Sequence, residues 1–238
     1  MGLFRSLTIG LFILAIPIAL VTTNIRFMAN EPRVYRYAID EFNAPATTGI
    51  ARDELIRAGG EIRDYFNNNQ ETLSIEIVQD GRETSLFSVK ETLHMKDVKD
   101  RFRLVSRAHE FTVMYVLTYI VLVVLWSREV SPRALAVQVA GGCVLCLVAL
   151  GAAGAVGLAG FDSAWEDFHR LIFSNDFWLL NPQTDHLIQI FPPDFWENIV
   201  FLVGLMIVAE SALLILGAGL YLGASRHHEE AHLEPEYA

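Results

Sequence analysis

Four apolar stretches constrain this 238-residue chain more than anything else in it. They run from Leu7 to Thr23, Phe111 to Trp126, Ala134 to Ala159 and Ile199 to Leu222. A helix needs about 20 apolar residues to cross a hydrocarbon core about 30 Å thick, and these stretches reach or approach that length. The expected fold is therefore mainly α, a polytopic membrane protein with four transmembrane helices. The second stretch is short by itself and is expected to borrow residues upstream of Phe111. After the first, Thr22, Thr23 and Asn24 lead straight into Arg26 without a small-x-small cleavage site, which predicts an uncleaved anchor.

Composition agrees: 53% of residues are hydrophobic and 19% charged, against roughly 25% charged in soluble domains. A net charge of -10 excludes the basic footprint of a nucleic-acid binder. With 16 Gly, 8 Pro and 2 Cys, the chain is no collagen, disordered tract or disulfide scaffold.

Lys and Arg in short flanking segments set orientation. Arg5, Arg128, Arg133 and Arg226 fall on one side, and the segment 160–197 carries only Arg170, so both termini are predicted inside. The organisation is then a first span (1–25), a small α+β extracytoplasmic insertion (26–109), two further spans (110–127 and 134–159), an extracytoplasmic interfacial aromatic helical loop (160–197), a fourth span (198–223) and a cytoplasmic tail (224–238). Neither outer segment contains cysteine.

In the insertion, Leu55, Ile56, Ile62 and Phe66 predict an amphipathic helix over Asp53 to Phe66, weakened by Gly59-Gly60. Leu73, Ile75 and Ile77 alternate with polar residues, and Asp80-Gly81 offers a turn before Thr84 to Val89, which predicts a hairpin. From Glu91 a helix is expected to lead into the second span. On it His94, Asp97 and Arg101 share one face, so that a carboxylate one turn away could orient the imidazole as a general base.

Nine of the chain's aromatic residues lie between Phe161 and Trp196, including three of four Trp, a composition suited to the headgroup layer. Asp162 is the expected N-cap of a helix carrying Trp165, Phe168, His169 and Phe173. This segment holds one Arg and seven acidic residues, so attraction to anionic headgroups does not explain it. Its polar groups, His169, Asn175, Asp176, Asp185 and His186, suggest a site at membrane depth instead. The surrounding acidity is expected to raise the basicity of His169.

Two histidines on one side of the membrane can divide acyl transfer between them, one removing a proton and one protonating the leaving oxygen. Zinc ligation is less favoured, because no HExxH or comparable paired-His spacing is present, and no metal or other cofactor is expected. Cys143 and Cys146 read as small apolar residues of the third span. Gly151, Gly154, Gly157 and Gly160 read as a ridge for close helix packing. Glu210, in the fourth span, is expected to bond a hydroxyl such as that of Tyr115, Thr118 or Tyr119. The tail from Arg226, with His227, His228 and His232 among glutamates, reads as disordered.

The blocks His94-Met95-Lys96-Asp97-Val98-Lys99, Phe161-Asp162 through Phe168-His169, Asn175-Asp176-Phe177-Trp178-Leu179-Leu180, Asp185-His186-Leu187-Ile188 and Phe191-Pro192 resemble the four-span membrane family that includes the bacterial lipoprotein intramolecular transacylases. The resemblance covers nearly the whole chain; Asn181 and the acidic, His-containing tail depart from the family's pattern. It implies an O-to-N acyl shift at the outer face of the bacterial cytoplasmic membrane. There, the sn-2 acyl chain of a diacylglyceryl-modified lipoprotein moves to that lipoprotein's own α-amine. The implied partners are such lipoproteins and membrane lipids, and the implied catalytic residues are His94 and His169. From the chemistry, Asp97 would orient His94, and Asn175 or Arg101 would face the oxyanion, with Asp176 and Trp178 as further substrate contacts. Two readings from other classes compete: a non-catalytic subunit of a membrane complex that grips lipid or a partner through the aromatic loop, and a metal-dependent membrane hydrolase. A separation beyond about 10 Å between the two histidines, too far for a bridging water, would exclude the paired site.

Overall fold

A computed structural model describes residues 2–79, 81–126 and 131–233. Four long helices carry the apolar stretches: α1 (Gly2–Asn30), α5 (Val89–Leu125), α6 (Pro132–Ala159) and α9 (Pro193–Leu233). Each is long and apolar enough to cross a membrane, and the apolar windows keep most of their residues on the surface, as lipid-facing helices do. The chain is a multi-pass membrane protein. Between α1 and α5 lie α2 (Pro32–Glu41), α3 (Ala44–Thr48), α4 (Arg52–Phe66) and the strands β1 (Glu76–Gln79) and β2 (Arg82–Ser85); between α6 and α9 lie α7 (Phe161–Ile172) and α8 (His186–Ile190).

The chain divides into two compact units, one of Met1–Asn24, Arg107–Ala155 and Val203–Ala238, the other of Ile25–Ser106 and Val156–Leu202. In the first, Phe12 of α1 stacks on Tyr119 of α5 at 4.3 Å between ring centroids. Tyr115 Oη donates to the Thr8 carbonyl and Tyr119 Oη to Gln138 Oε1, both at 2.9 Å. Glu210 is held by an amide: Asn24 Nδ2 donates to Glu210 Oε2 at 2.7 Å and also to the Leu20 carbonyl at 2.9 Å. The hydroxyls of Tyr115 and Tyr119, expected as its partners, are committed to α1 and α6 instead. The close helix approach also falls elsewhere than expected. A Cβ on Gly142 would come within 2.7 Å of Ile16, whereas one on Gly151, Gly154 or Gly157 would meet nothing within 4 Å. Of the predicted glycine ridge only Gly160 would meet an atom, Ser163 Oγ at 3.9 Å, and the close approach falls at Gly142 instead.

The second unit has one apolar core. Tyr35, Ala38 and Ile39 of α2 meet Leu55, Ala58, Ile62 and Tyr65 of α4, the strand residue Ile77, and Met95 of α5. Each such buried Leu, Ile or Met side chain contributes roughly 1.5–3 kcal/mol. Gly59, which weakened the predicted helix, is what lets α4 approach: a Cβ there would sit 3.0 Å from that of Tyr35. The hairpin is antiparallel, with Ile77 opposite Thr84, and Leu73, Ile75 and Ile77 point inward as their alternation predicts. Gly81 adopts φ +74°, the left-handed turn conformation that favours glycine, while Asp80 lies outside the described residues. The second strand ends at Ser85, because Ser88 caps α5 and turns Val89 into helix.

One further expectation holds and two change. The stretch from Glu91 and the second span form one helix, α5, as expected, and it begins earlier still, at Val89. Leu187, Ile190, Phe191 and Phe195 enter the core beside α2 and α4, so part of the predicted interfacial loop is interior. The tail from Arg226 continues as helix through Leu233, and residues 234–238 lie outside the described residues.

Candidate active site

All of the following lies in the second unit. His94 sits on the charged N-terminal half of α5, before the apolar run begins, and His169 sits on α7. Their ring centroids are 6.1 Å apart, within the limit set for a paired site. Both are buried, at 7% and 9% exposure. Aromatic rings enclose His169: Trp165 at 4.7 Å, Trp178 at 5.2 Å, Phe168 at 5.3 Å and Phe173 at 5.7 Å between centroids, with Phe173 also 5.3 Å from His94.

The hydrogen bonds differentiate the two rings. His169 Nδ1 lies 2.7 Å from the carbonyl oxygen of Trp165. A carbonyl only accepts, so Nδ1 carries the proton and Nε2 the lone pair. His94 Nδ1 is buried and has no hydrogen-bond partner among the described residues. Leaving such an atom unpaired costs about 1–3 kcal/mol, which a bound group could offset. Burial pushes the His94 imidazole down to about 4, with His169 adding to the fall and Asp97 opposing it. Burial also lowers His169, against the bond to Trp165. The expectation that acidic neighbours raise imidazole basicity is thus reversed: desolvation outweighs charges that stay near the surface.

Asp97 does not bond to His94. Its Oδ2 accepts from Asn175 Nδ2 at 2.8 Å, while Asn175 Oδ1 accepts from the Phe177 amide at 3.1 Å. Asp97 and Asn175 therefore join α5 to the segment after α7. The Trp178 ring lies beside that of His169, tilted by 31°, whereas Arg101 and Asp176 are more open to solvent than the histidines. Asp162 lies in the first turn of α7, and Gly160 is the capping residue. Among the described residues, no three His, Cys, Asp or Glu side chains come together as a metal site would require.

Glu91 escaped the sequence reading, although Ser88-x-x-Glu91 before a helix is a capping-box spacing. Its Oε2 accepts from the Ser88 amide at 2.7 Å, and Ser88 Oγ accepts from the Glu91 amide at 3.3 Å. Its Oε1 accepts from the Leu187 amide at 2.7 Å. Nearby, His186 Nδ1 donates to the Leu86 carbonyl at 2.7 Å, and Lys90 Nζ donates to the Leu179 carbonyl. Lys99 is buried on α5; its Nζ donates to Asn68 Oδ1 at 2.9 Å and the Gln70 carbonyl at 2.6 Å, 3.8 Å above the Tyr65 ring.

Four helices long and apolar enough to cross a membrane define a polytopic membrane protein, and its second unit holds a buried pair of imidazoles 6.1 Å apart. A model of the lipoprotein intramolecular transacylase family Lit matches residues 10–196. The chain belongs to that family, whose members act on lipoproteins, and it is an acyltransferase of that class. Its fold is similar to that of the membrane integral lipoprotein intramolecular transacylase Lit from Bacillus cereus, at 19% identity, 96% of this chain, all of that one and a TM-score of 0.78. Structures of the same Bacillus cereus protein with one histidine replaced by arginine or by alanine give TM-scores of 0.74, again at 19% identity. They cover 96% and 95% of this chain and 96% and 97% of those chains. No curated protein sequence matches.

Proposed function

We propose that this chain moves the sn-2 acyl group of a diacylglyceryl-cysteine lipoprotein to that cysteine's own α-amine, leaving an N-acyl, S-monoacylglyceryl product. The observation that carries the mechanism is the His94–His169 pair, 6.1 Å apart, both buried and held neutral. The attacking nitrogen must lose a proton, and the departing glycerol oxygen must gain one. Neutral imidazoles near pH 7 can do both.

His169 is the proposed base. Its Nδ1 is committed to Trp165, so its lone pair stands at Nε2 in a fixed tautomer. The proton that His169 Nε2 takes from the amine passes to His94, whose ring centroid lies 6.1 Å away, and His94 gives it to the leaving glycerol oxygen, so both imidazoles end the reaction neutral. This reverses the roles that an Asp97–His94 bond would have implied. Asn175, tied by Asp97, keeps a second amide hydrogen for the oxyanion. Trp178, whose ring centroid is 5.2 Å from that of His169, and the more exposed Arg101 and Asp176 are left as substrate contacts. Amine and ester belong to one substrate, so the reaction is intramolecular and orientation supplies much of the rate without a covalent enzyme intermediate.

The arginine distribution supports both termini inside and the histidines at the outer face of a bacterial cytoplasmic membrane. Exposed Phe168 and Leu171 on α7 suit contact with membrane lipid. The deciding experiment is mass spectrometry of a lipoprotein N-terminal peptide from cells expressing the wild type, His94→Ala or His169→Ala. Conversion by the wild type alone is expected; diacylglyceryl peptide unchanged by the wild type would end this reading.

A further inference from the structure

We propose that Glu91 is a positioning residue for the histidine pair: its carboxylate, held between the start of α5 and the first turn of α8, sets the segment bearing His169 against the helix bearing His94. The inference rests on the reading of His94 and His169 as acid and base.

A capping box needs only one carboxylate oxygen and usually stands at an exposed helix end. Glu91 is 2% exposed and uses both oxygens, the second on the Leu187 amide, 96 residues away. A carboxylate is buried at such a place only where charge-assisted bonds offset its lost hydration. Both oxygens hold backbone N–H donors and the side chain is closed off from solvent, so Glu91 serves the backbone around it. It stands one helical turn before His94, on the same side of α5.

A packed route leads from Leu187 to His169. Phe191, at the end of α8, packs on Phe195 at 5.4 Å and on Trp196 at 6.4 Å. Trp196 stacks on Trp165 at 5.4 Å and 24°. Trp165 in turn supplies the carbonyl that fixes the His169 tautomer. Displacing α8 therefore displaces the ring stack that carries His169. The bonds of Lys90 and His186 pull the same way, but theirs are single bonds, whereas Glu91 ties two backbones at once from a buried position.

The test uses the full chain in lipid nanodiscs with a synthetic diacylglyceryl lipopeptide. Glu91→Gln presents its amide nitrogen to one of the two N–H groups; Glu91→Asp keeps the charge and falls one methylene short of Leu187. Both are expected to lower kcat at least tenfold with KM within about twofold, and to move the imidazole 15N resonances of His94 and His169, below the unfolding midpoint of each variant. Ser88→Ala, which weakens the same helix cap but leaves the Leu187 bond, is expected to change kcat less than threefold. Folded Glu91 variants with wild-type kcat and unmoved imidazole resonances would overturn the proposal, as would Ser88→Ala matching their loss. A wild-type chain without acyl transfer would refute the transacylase reading instead, and the resonances would then decide the positioning role alone.

Discussion

His169 donates its Nδ1 proton to the carbonyl of Trp165, one turn back on α7, at 2.7 Å. That single bond decides which nitrogen carries the lone pair, and it is this lone pair that the proposed base would use. His169→Ala is expected to lower the transacylation rate by about 10²–10⁴-fold, the usual contribution of general acid–base catalysis. Asp97→Asn, which can still bond to Asn175, is expected to cost less than about tenfold. Initial rates on a defined lipopeptide, read by mass spectrometry, separate the two; equal losses would restore Asp97 as the orienting group.

Stability should fall in acid. An imidazole whose native pKa lies below its unfolded value binds fewer protons in the folded state. Its contribution is then fully present above pH 6.5 and drains away as pH falls towards 4. For His94 the full loss is about 3 kcal/mol, from the conversion of 1.36 kcal/mol per pKa unit. Denaturation midpoints between pH 7 and pH 4 should show this slope in the wild type and a shallower one in His94→Ala. Activity should follow the same acid limb, because a protonated pair cannot accept the amine proton.

The Asn24–Glu210 bond ties α1 to α9 across 186 residues of sequence. Asn24→Ala is expected to destabilise the chain by about 1–3 kcal/mol, by leaving the Glu210 carboxyl without its donor. The double variant Asn24→Ala, Glu210→Leu should recover much of that loss, since both polar partners are then gone. Thermal unfolding in detergent of the two single variants and the double closes the cycle.

Gly142 should tolerate nothing larger. Even a Cβ at this position would stand 2.7 Å from Ile16 and 3.0 Å from the Ile13 carbonyl. Gly142→Val would drive further atoms into both, and overpacking of this kind costs about 1–3 kcal/mol. Gly154→Ala meets no atom within 4 Å and should leave the unfolding midpoint unchanged.

The four spans, the α4 helix, the hairpin and the two histidines were legible in the sequence because their signals are local. A run of about 20 apolar residues partitions into lipid whatever its neighbours are, and the alternation of Leu73, Ile75 and Ile77 marks the buried side of the chain leading into and through β1. The capping role of Ser88 and Glu91 went unread although its spacing of three is a local signal, and nothing in the sequence marks the bond of the second Glu91 oxygen to Leu187.

What only the tertiary structure decided was the choice of partner. Asp97 stands one turn from His94 yet bonds to Asn175, and Glu210 bonds to Asn24. Leu187 and Phe191 look like interfacial residues and lie in the core beside α2 and α4. The basicity of the histidines went the same way: nearby acidic residues in the chain suggested a raised pKa, and burial among Trp165, Phe173 and Trp178 lowers it. Hydrophobic periodicity is set by neighbours along the backbone. Hydrogen-bond pairing and desolvation depend on which groups the fold brings within about 3 Å and which it seals from water.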